Sequence, residues 1–266
     1  MFWTRLVSGI VLIALALFVI ISGGWILFAS VLILALIGAG ELYRACGVQE
    51  KQKALSFEPL VIAGLAGIAL CDASLLIADG AYQILAVIAA MMILLFVYVF
   101  AWPRYRSGQI MAAFFALVYV GVMLSYIYQT RMLEGGRFHV WLIFLCSWGC
   151  DTCAYCVGML IGKHKMAPLL SPKKSIEGAA GGVAGAMILG VIYAYFTKGP
   201  KLEYAVICGI GALISMVGDL AASGIKRNRK IKDYGRLIPG HGGVLDRFDS
   251  VIFTAPVIYF LSLVLL

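Results

Sequence analysis

Charge is scarce in this chain. Only 13% of its 266 residues are Asp, Glu, Lys or Arg, about half the share of an ordinary soluble domain. The apolar set makes up 63%, and a water-soluble globule of that composition could not cover its surface with polar groups. A cytoplasmic enzyme, a disordered chain and a secreted disulfide scaffold are therefore excluded. Histidine is scarcer still, with three in the chain and no H-E-x-x-H pattern, so zinc chemistry has no foothold. Strand-type alternation never persists long enough for a membrane barrel. Low-complexity tracts and internal repeats are also absent from the sequence.

What is present is a series of long apolar runs. A helix needs about 20 such residues to cross a bilayer. Nine stretches qualify, near 6–22, 24–43, 60–78, 82–101, 109–127, 138–161, 177–196, 203–224 and 248–266. The first does not read as a signal peptide, because another span follows at once. Six of the seven prolines fall between spans or at their edges, and only Pro256 lies inside one, where a kink is tolerated. The expected fold is an all-α polytopic membrane bundle of about nine transmembrane helices. We divide it into N-terminal transmembrane helices (1–100) and a catalytic transmembrane region (101–266) with cytoplasmic loops at 162–176 and 225–247.

The net charge of +8 is unevenly spread. With nine spans, 17 of the 21 Lys+Arg fall on the N-terminal side of the membrane. By the positive-inside rule that side, and the N-terminus, is cytoplasmic.

Ionisable groups inside spans are costly and mark functional candidates. Asp72 stands nearly alone and reads as a helix-end carboxyl bonded to a neighbour. Asp219 shares a helix face with Ser215, Ser223 and Lys226. Asp151 opens Asp-Thr-Cys-Ala-Tyr, on a helix that runs out into Gly162-Lys163-His164-Lys165. Glu177 follows Ser171-Pro172-Lys173-Lys174-Ser175, although an acid in a first helical turn is also ordinary dipole complementation. Gly178, Gly181, Gly182 and Gly185 have the spacing of close helix packing. Cys146, Cys150, Cys153 and Cys156 wrap around one helix and read as small buried apolar residues rather than a metal knuckle.

The strongest signal is the basic segment from Lys226 to Arg247, which crowds seven Lys+Arg and one His against two Asp. A loop that only attracted anionic headgroups would not need the turn Pro239-Gly240-His241-Gly242-Gly243. Nor would it need Asp246 and Asp249 one turn apart on a helix. Carboxylates beside clustered cations and glycines suit a metal–phosphate site.

Residues 223–249 carry Ser223, Ile225-Lys226-Arg227, Lys232-Asp233, Gly235, Ile238-Pro239, His241-Gly242-Gly243-Val244 and Asp246-Arg247-Phe248-Asp249. This stretch resembles the signature of the phosphatidate cytidylyltransferases, or CDP-diacylglycerol synthases. The segments Asp151–Tyr155 and Ser171–Gly178 are similar to that family as well, so the resemblance covers roughly residues 100–266. The first hundred residues are similar only in being apolar and helical.

The resemblance implies transfer of CMP from CTP to phosphatidic acid, with release of pyrophosphate, for phospholipid biosynthesis. It implies Mg²⁺, with room for a second cation, held by Asp219, Asp246 and Asp249, of which Asp246 and Asp219 rank first. Lys226 and His241 join these acids as catalytic candidates. Lys173, Lys174, Ser175, Ser223, Arg227, Lys232, Arg247, Asp151 and Glu177 are the candidates for holding nucleotide and phosphates. The expected setting is a prokaryotic plasma or inner membrane with the site on its cytoplasmic face. CTP, phosphatidic acid and the bilayer are the expected partners, with no nucleic acid, and the glycine-rich helix faces permit a homodimer. One competing reading is a CTP-dependent polyprenol or phytol kinase, which needs a base to deprotonate its alcohol. Another is an anionic solute transporter with an ion path through Asp72, Asp151 and Asp219. A CDP-alcohol phosphotransferase would show a D-G-x-x-A-R pattern that this chain lacks.

Overall fold

The computed structural model describes residues 2–49, 58–77, 80–238, 240 and 242–266. Among the described residues nine long helices follow one another: α1 (Phe2–Ser22), α2 (Gly24–Cys46), α3 (Pro59–Ser74), α4 (Gln83–Phe100), α5 (Ser107–Met132), α6 (Gly136–Ile161), α7 (Ile176–Thr197), α8 (Lys201–Asn228) and α9 (Leu245–Leu265). Seven of them are long and apolar enough to cross a membrane among the described residues. The all-α polytopic class and the order of the spans agree with the sequence. Many large apolar side chains point outward, with Phe100 86%, Leu160 82% and Ile84 77% exposed. Such a surface belongs in lipid.

Sequence chemistry sets the helix ends. Gly47 closes α2 in the left-handed region at φ 76°, with Val48 N–H donating back to the Tyr43 carbonyl at 2.9 Å. Pro59 opens α3 at a position where its missing N–H costs nothing. The Ser175 hydroxyl caps α7 by accepting from Gly178 N–H at 3.1 Å.

Two features were not legible as spans. The helices α5 and α6 each contain a π turn, at Leu117–Val122 and Leu145–Gly149. The second ends two residues before Asp151 and so sets its rotational position on α6. Between α6 and α7 the chain forms an antiparallel hairpin, β1 (Lys165–Ala167) and β2 (Ser171–Ser175), with Lys165 opposite Ser175 and Ala167 opposite Ser171. The Ser-Pro-Lys-Lys-Ser motif is thus a strand, paired to β1 with an irregularity in register between Lys165 and Ala167.

The chain forms two compact units. The first comprises Met1–Ser125 and Arg229–Arg247. Its core joins Ala35, Ala39 and Leu42 of α2 to Leu60 and Ile68 of α3, Ala90 and Leu94 of α4 and Leu117 of α5. The second comprises Tyr126–Asn228 and Phe248–Leu266. Its core joins Leu142, Ile143 and Cys146 of α6, Ala186 of α7, Ile207 and Ala212 of α8 and Ile252 and Ala255 of α9.

The α7 glycine face is filled from within its own unit. A Cβ at Gly182 would lie 2.9 Å from Ala154 Cβ and 3.0 Å from the Cys150 carbonyl oxygen, and one at Gly190 would lie 2.8 Å from Cys208 Sγ. Close packing of α6 and α8 against α7 is therefore what these glycines do. Cys146 and Cys150 are buried in the same packing. Gly182→Val should cost about 1–3 kcal/mol by overpacking. Thermal unfolding in detergent checks this, and an unchanged midpoint would contradict the close approach.

Candidate active site

The second unit gathers most of the charged side chains singled out above. A cavity of about 560 Å³ is lined by Asp151 and Tyr155 of α6, Lys173, Lys174 and Ser175 of β2, Gly178 of α7 and Asp219 of α8. Lys174 forms an ion pair with Asp219, both side chains about one quarter exposed at 25% and 26%. Asp249, on the first turns of α9, is 8% exposed, and Lys226 Nζ lies 3.9 Å from its Oδ2. Asp249 Oδ1 also accepts from Ser250 N–H at 2.8 Å. Asp151 is hydrogen-bonded to the Ser250 hydroxyl and lies within electrostatic reach of Asp219 and Asp249. Three carboxylates and two lysines from four chain segments thus form one electrostatic group.

The other expected residues of this unit surround it. Ser223 sits one turn beyond Asp219 on α8. Arg227 Nε points to the Leu170 carbonyl at 3.4 Å, joining the end of α8 to the hairpin turn. Glu177 is engaged structurally: its carboxylate accepts from Lys163 N–H at 3.1 Å and His164 N–H at 3.2 Å and meets the His164 ring at 2.5 Å. It pins the exit of α6 to the start of α7.

The first unit holds Lys232, Asp246 and Arg247. Asp246 Oδ2 accepts N–H bonds from Tyr234 at 2.8 Å and Gly243 at 3.0 Å, so one carboxylate oxygen closes the loop that precedes α9. That loop turns through Gly240 at φ 77° and Gly242 at φ 87°, and Ile238 pairs with Gly242. Only glycine takes such angles without strain. Lys232 and Arg247 are exposed. His241 and Pro239 lie outside the described residues.

One residue that the sequence reading passed over anchors the same loop. Glu41 of α2 is only 1% exposed, and its carboxylate accepts from Val244 N–H at 3.1 Å and Leu245 N–H at 2.8 Å. A Cβ at Gly235 or Gly243 would fall on the Glu41 carboxylate, which explains both glycines. Glu41 satisfies the first amides of α9, where a negative charge also meets the positive end of the helix dipole. The only hint in the sequence was an acid inside the Gly-Ala-Gly-Glu-Leu run of an apolar span. Asp72 is buried near the end of α3 as expected, but its Oδ1 has no hydrogen-bond partner among the described residues.

The Cytidylyltransferase family model matches residues 3–265. The chain belongs to this cytidylyltransferase family. A phosphatidate cytidylyltransferase of Staphylococcus saprophyticus is 34% identical over 258 residues, covering 96% of each chain. That of Staphylococcus epidermidis is 34% identical over 260 residues, again with 96% of each chain covered. That of Synechocystis sp. is 28% identical over 292 residues, covering 98% of this chain and 97% of the relative. The family match takes in the first hundred residues, where Glu41 lies, as well as the signature loop.

Glu41→Ala should leave two amides without acceptors, at about 1–3 kcal/mol each, and Glu41→Gln should retain part of that. Hydrogen exchange at Val244 and Leu245 checks the assignment. Protection is expected to fall in the alanine variant, and unchanged protection there would remove Glu41 from the cap.

Proposed function

We propose that this cytidylyltransferase transfers CMP from CTP to phosphatidic acid, forming CDP-diacylglycerol and pyrophosphate for phospholipid synthesis. The single observation that carries the reading is the cavity shared by Asp151, Asp219, Lys173 and Lys174, in a chain whose relatives bear that activity in their names. The nucleophile is a phosphate monoester oxygen. With a second pKa near 6 it is mostly deprotonated at neutral pH, so no strong general base is required. The oxygen attacks the α-phosphorus of CTP, and the bond to the β-phosphate breaks as pyrophosphate leaves. The protein's task is to hold two polyanions in line and to offset their charge.

Among the described residues no group of three or more His, Cys, Asp or Glu side chains is placed to hold a metal ion by itself. Mg²⁺ does not need such a cage, because it commonly takes one or two carboxylates and completes its shell with water and substrate phosphates. The oxygen donors of Asp219 and Asp249 fit that chemistry, and Asp246 joins the proposal on the strength of its motif. When bound, the ion would supply positive charge beside the phosphates. Lys174 and Lys226 are placed to trade a carboxylate for a phosphate oxygen as substrate enters. Ser175, Ser223, Arg227 and Arg247 then supply hydrogen bonds and charge along the polyanion.

We place this site on the cytoplasmic face of a prokaryotic plasma membrane, where CTP is available. The support is the 17 of 21 cations assigned to that side by the span order. A lipid kinase reading would need a base for its alcohol, and the acids here face lysines and a serine.

Purified protein with CTP, phosphatidic acid and Mg²⁺ should yield CDP-diacylglycerol and pyrophosphate. Release of CDP instead would support the kinase. Asp219→Asn and Lys174→Met should each lower kcat by about 10²-fold or more, the scale of removing one electrostatic stabiliser. Near-normal turnover in folded Asp219→Asn would remove it from the site.

A further inference from the structure

The charge cluster accounts for only part of the cavity of about 560 Å³ in the second unit. The rest of its wall is uncharged. Tyr155 and Met159 of α6 and Met166 of β1 line it, together with Gly158 and Gly178. At those two glycines the helices α6 and α7 meet backbone to backbone. A Cβ on Gly158 would lie 3.6 Å from Gly178 Cα, and one on Gly178 would lie 3.2 Å from Gly158 Cα. The cavity therefore combines two lysines, an aromatic ring and a strip of bare backbone.

Tyr155 differs from its aromatic neighbours in this unit. Trp148 packs against Phe144 and Phe248, and Tyr193 stacks on Tyr204. Tyr155 meets no other ring among the described residues, and it is 67% exposed. A tyrosine near the end of a spanning helix is ordinarily an anchor at the headgroup level. This one instead lines a cavity that also holds Lys173 and Lys174. A bare polyphosphate has no use for an aromatic wall, and a lipid headgroup brings an anion but no flat group to stack. A nucleotide matches both parts: its base has an apolar face, and its polyphosphate suits the lysines. The volume also fits one ligand of that size.

We propose that Tyr155 stacks on the base of CTP, beside the bare backbone of Gly158 and Gly178, while Lys173 and Lys174 hold the phosphates. The inference rests on the activity proposed above and adds to it a binding residue for the base. Stacking tolerates every base, because each has a π face, so Tyr155 contributes affinity rather than a choice of cytosine. Its exposure also makes it a clean residue to change, since its loss opens no void in the core.

Calorimetric titration of the full chain in detergent, with Mg²⁺ and no phosphatidate, reads this directly. The probes are CTP and inorganic tripolyphosphate, which carries the phosphates without a base. Tyr155→Leu should raise Kd for CTP by about tenfold, the scale of losing one base–aromatic stack, and Kd for tripolyphosphate by less than about twofold. Tyr155→Phe keeps a ring and should bind CTP within about twofold of the unaltered protein. In steady-state kinetics Tyr155→Leu should raise KM for CTP and leave KM for phosphatidate unchanged. Unchanged CTP affinity in Tyr155→Leu would make Tyr155 an interface anchor and overturn the proposal. Equal weakening of CTP and tripolyphosphate would also overturn it, as would a rise confined to KM for phosphatidate. The proposed activity fails separately: an unaltered protein that binds CTP but makes no CDP-diacylglycerol would defeat that activity and leave the stack to be judged by titration. A folded, unaltered protein that does not bind CTP would overturn the stack itself.

Discussion

The structure depends on giving cationic partners to carboxylates that stand inside helices belonging in lipid. Asp151, Asp219 and Asp249 stand on three different apolar helices within electrostatic reach of one another. Like charges so placed would drive those helices apart or take up protons. Two lysines oppose this. Lys174 reaches Asp219 from a hairpin strand, and Lys226 reaches Asp249 from the exit of α8. The same arrangement that makes the acids tolerable also makes the site responsive, because a phosphate can replace a carboxylate as the partner of either lysine.

The rest of the unit serves to bring these groups together. Glycines on α7 let α6 approach until backbone meets backbone near Gly158 and Gly178. Glu177 ties the end of α6 to the start of α7, and the Ser175 cap fixes where α7 begins. Lys174 is consequently delivered by a short strand with both ends anchored. In the first unit a parallel device operates on the signature loop: Glu41 holds the amides at its end, and Asp246 holds the amides within it. Glu41 gives both carboxylate oxygens, and Asp246 its Oδ2 alone, to backbone N–H groups, which makes the loop's shape a consequence of two side chains rather than of local propensity.

Much of this was legible in the sequence, for physical reasons that differ from residue to residue. The helices were legible because apolar runs of bilayer length have few alternatives. Asp219, Ser223 and Lys226 were legible as one face because helical periodicity places them there. The glycine stripe was legible as packing. The hairpin of residues 165–175 was not, since five residues containing two lysines and a proline carry little strand signal. Glu41 was not, because its partners are backbone amides more than 200 residues away and amides leave no mark in a sequence. Nor did the periodicity reveal the π turn before Asp151, which depends on how α6 packs. The Lys174–Asp219 pair joins a loop residue to a span residue, and only the folded chain shows it.

The central claim is that acids and lysines form one coupled group, and a double-mutant cycle on Lys174 and Asp219 tests it most directly. Thermal stability would be measured for the unaltered protein, Lys174→Met, Asp219→Asn and the double variant, with no substrate present. The account predicts that Lys174→Met destabilises strongly when Asp219 is charged and much less in the Asp219→Asn background, a coupling of about 1–3 kcal/mol. Additive effects, with no coupling beyond error, would contradict it.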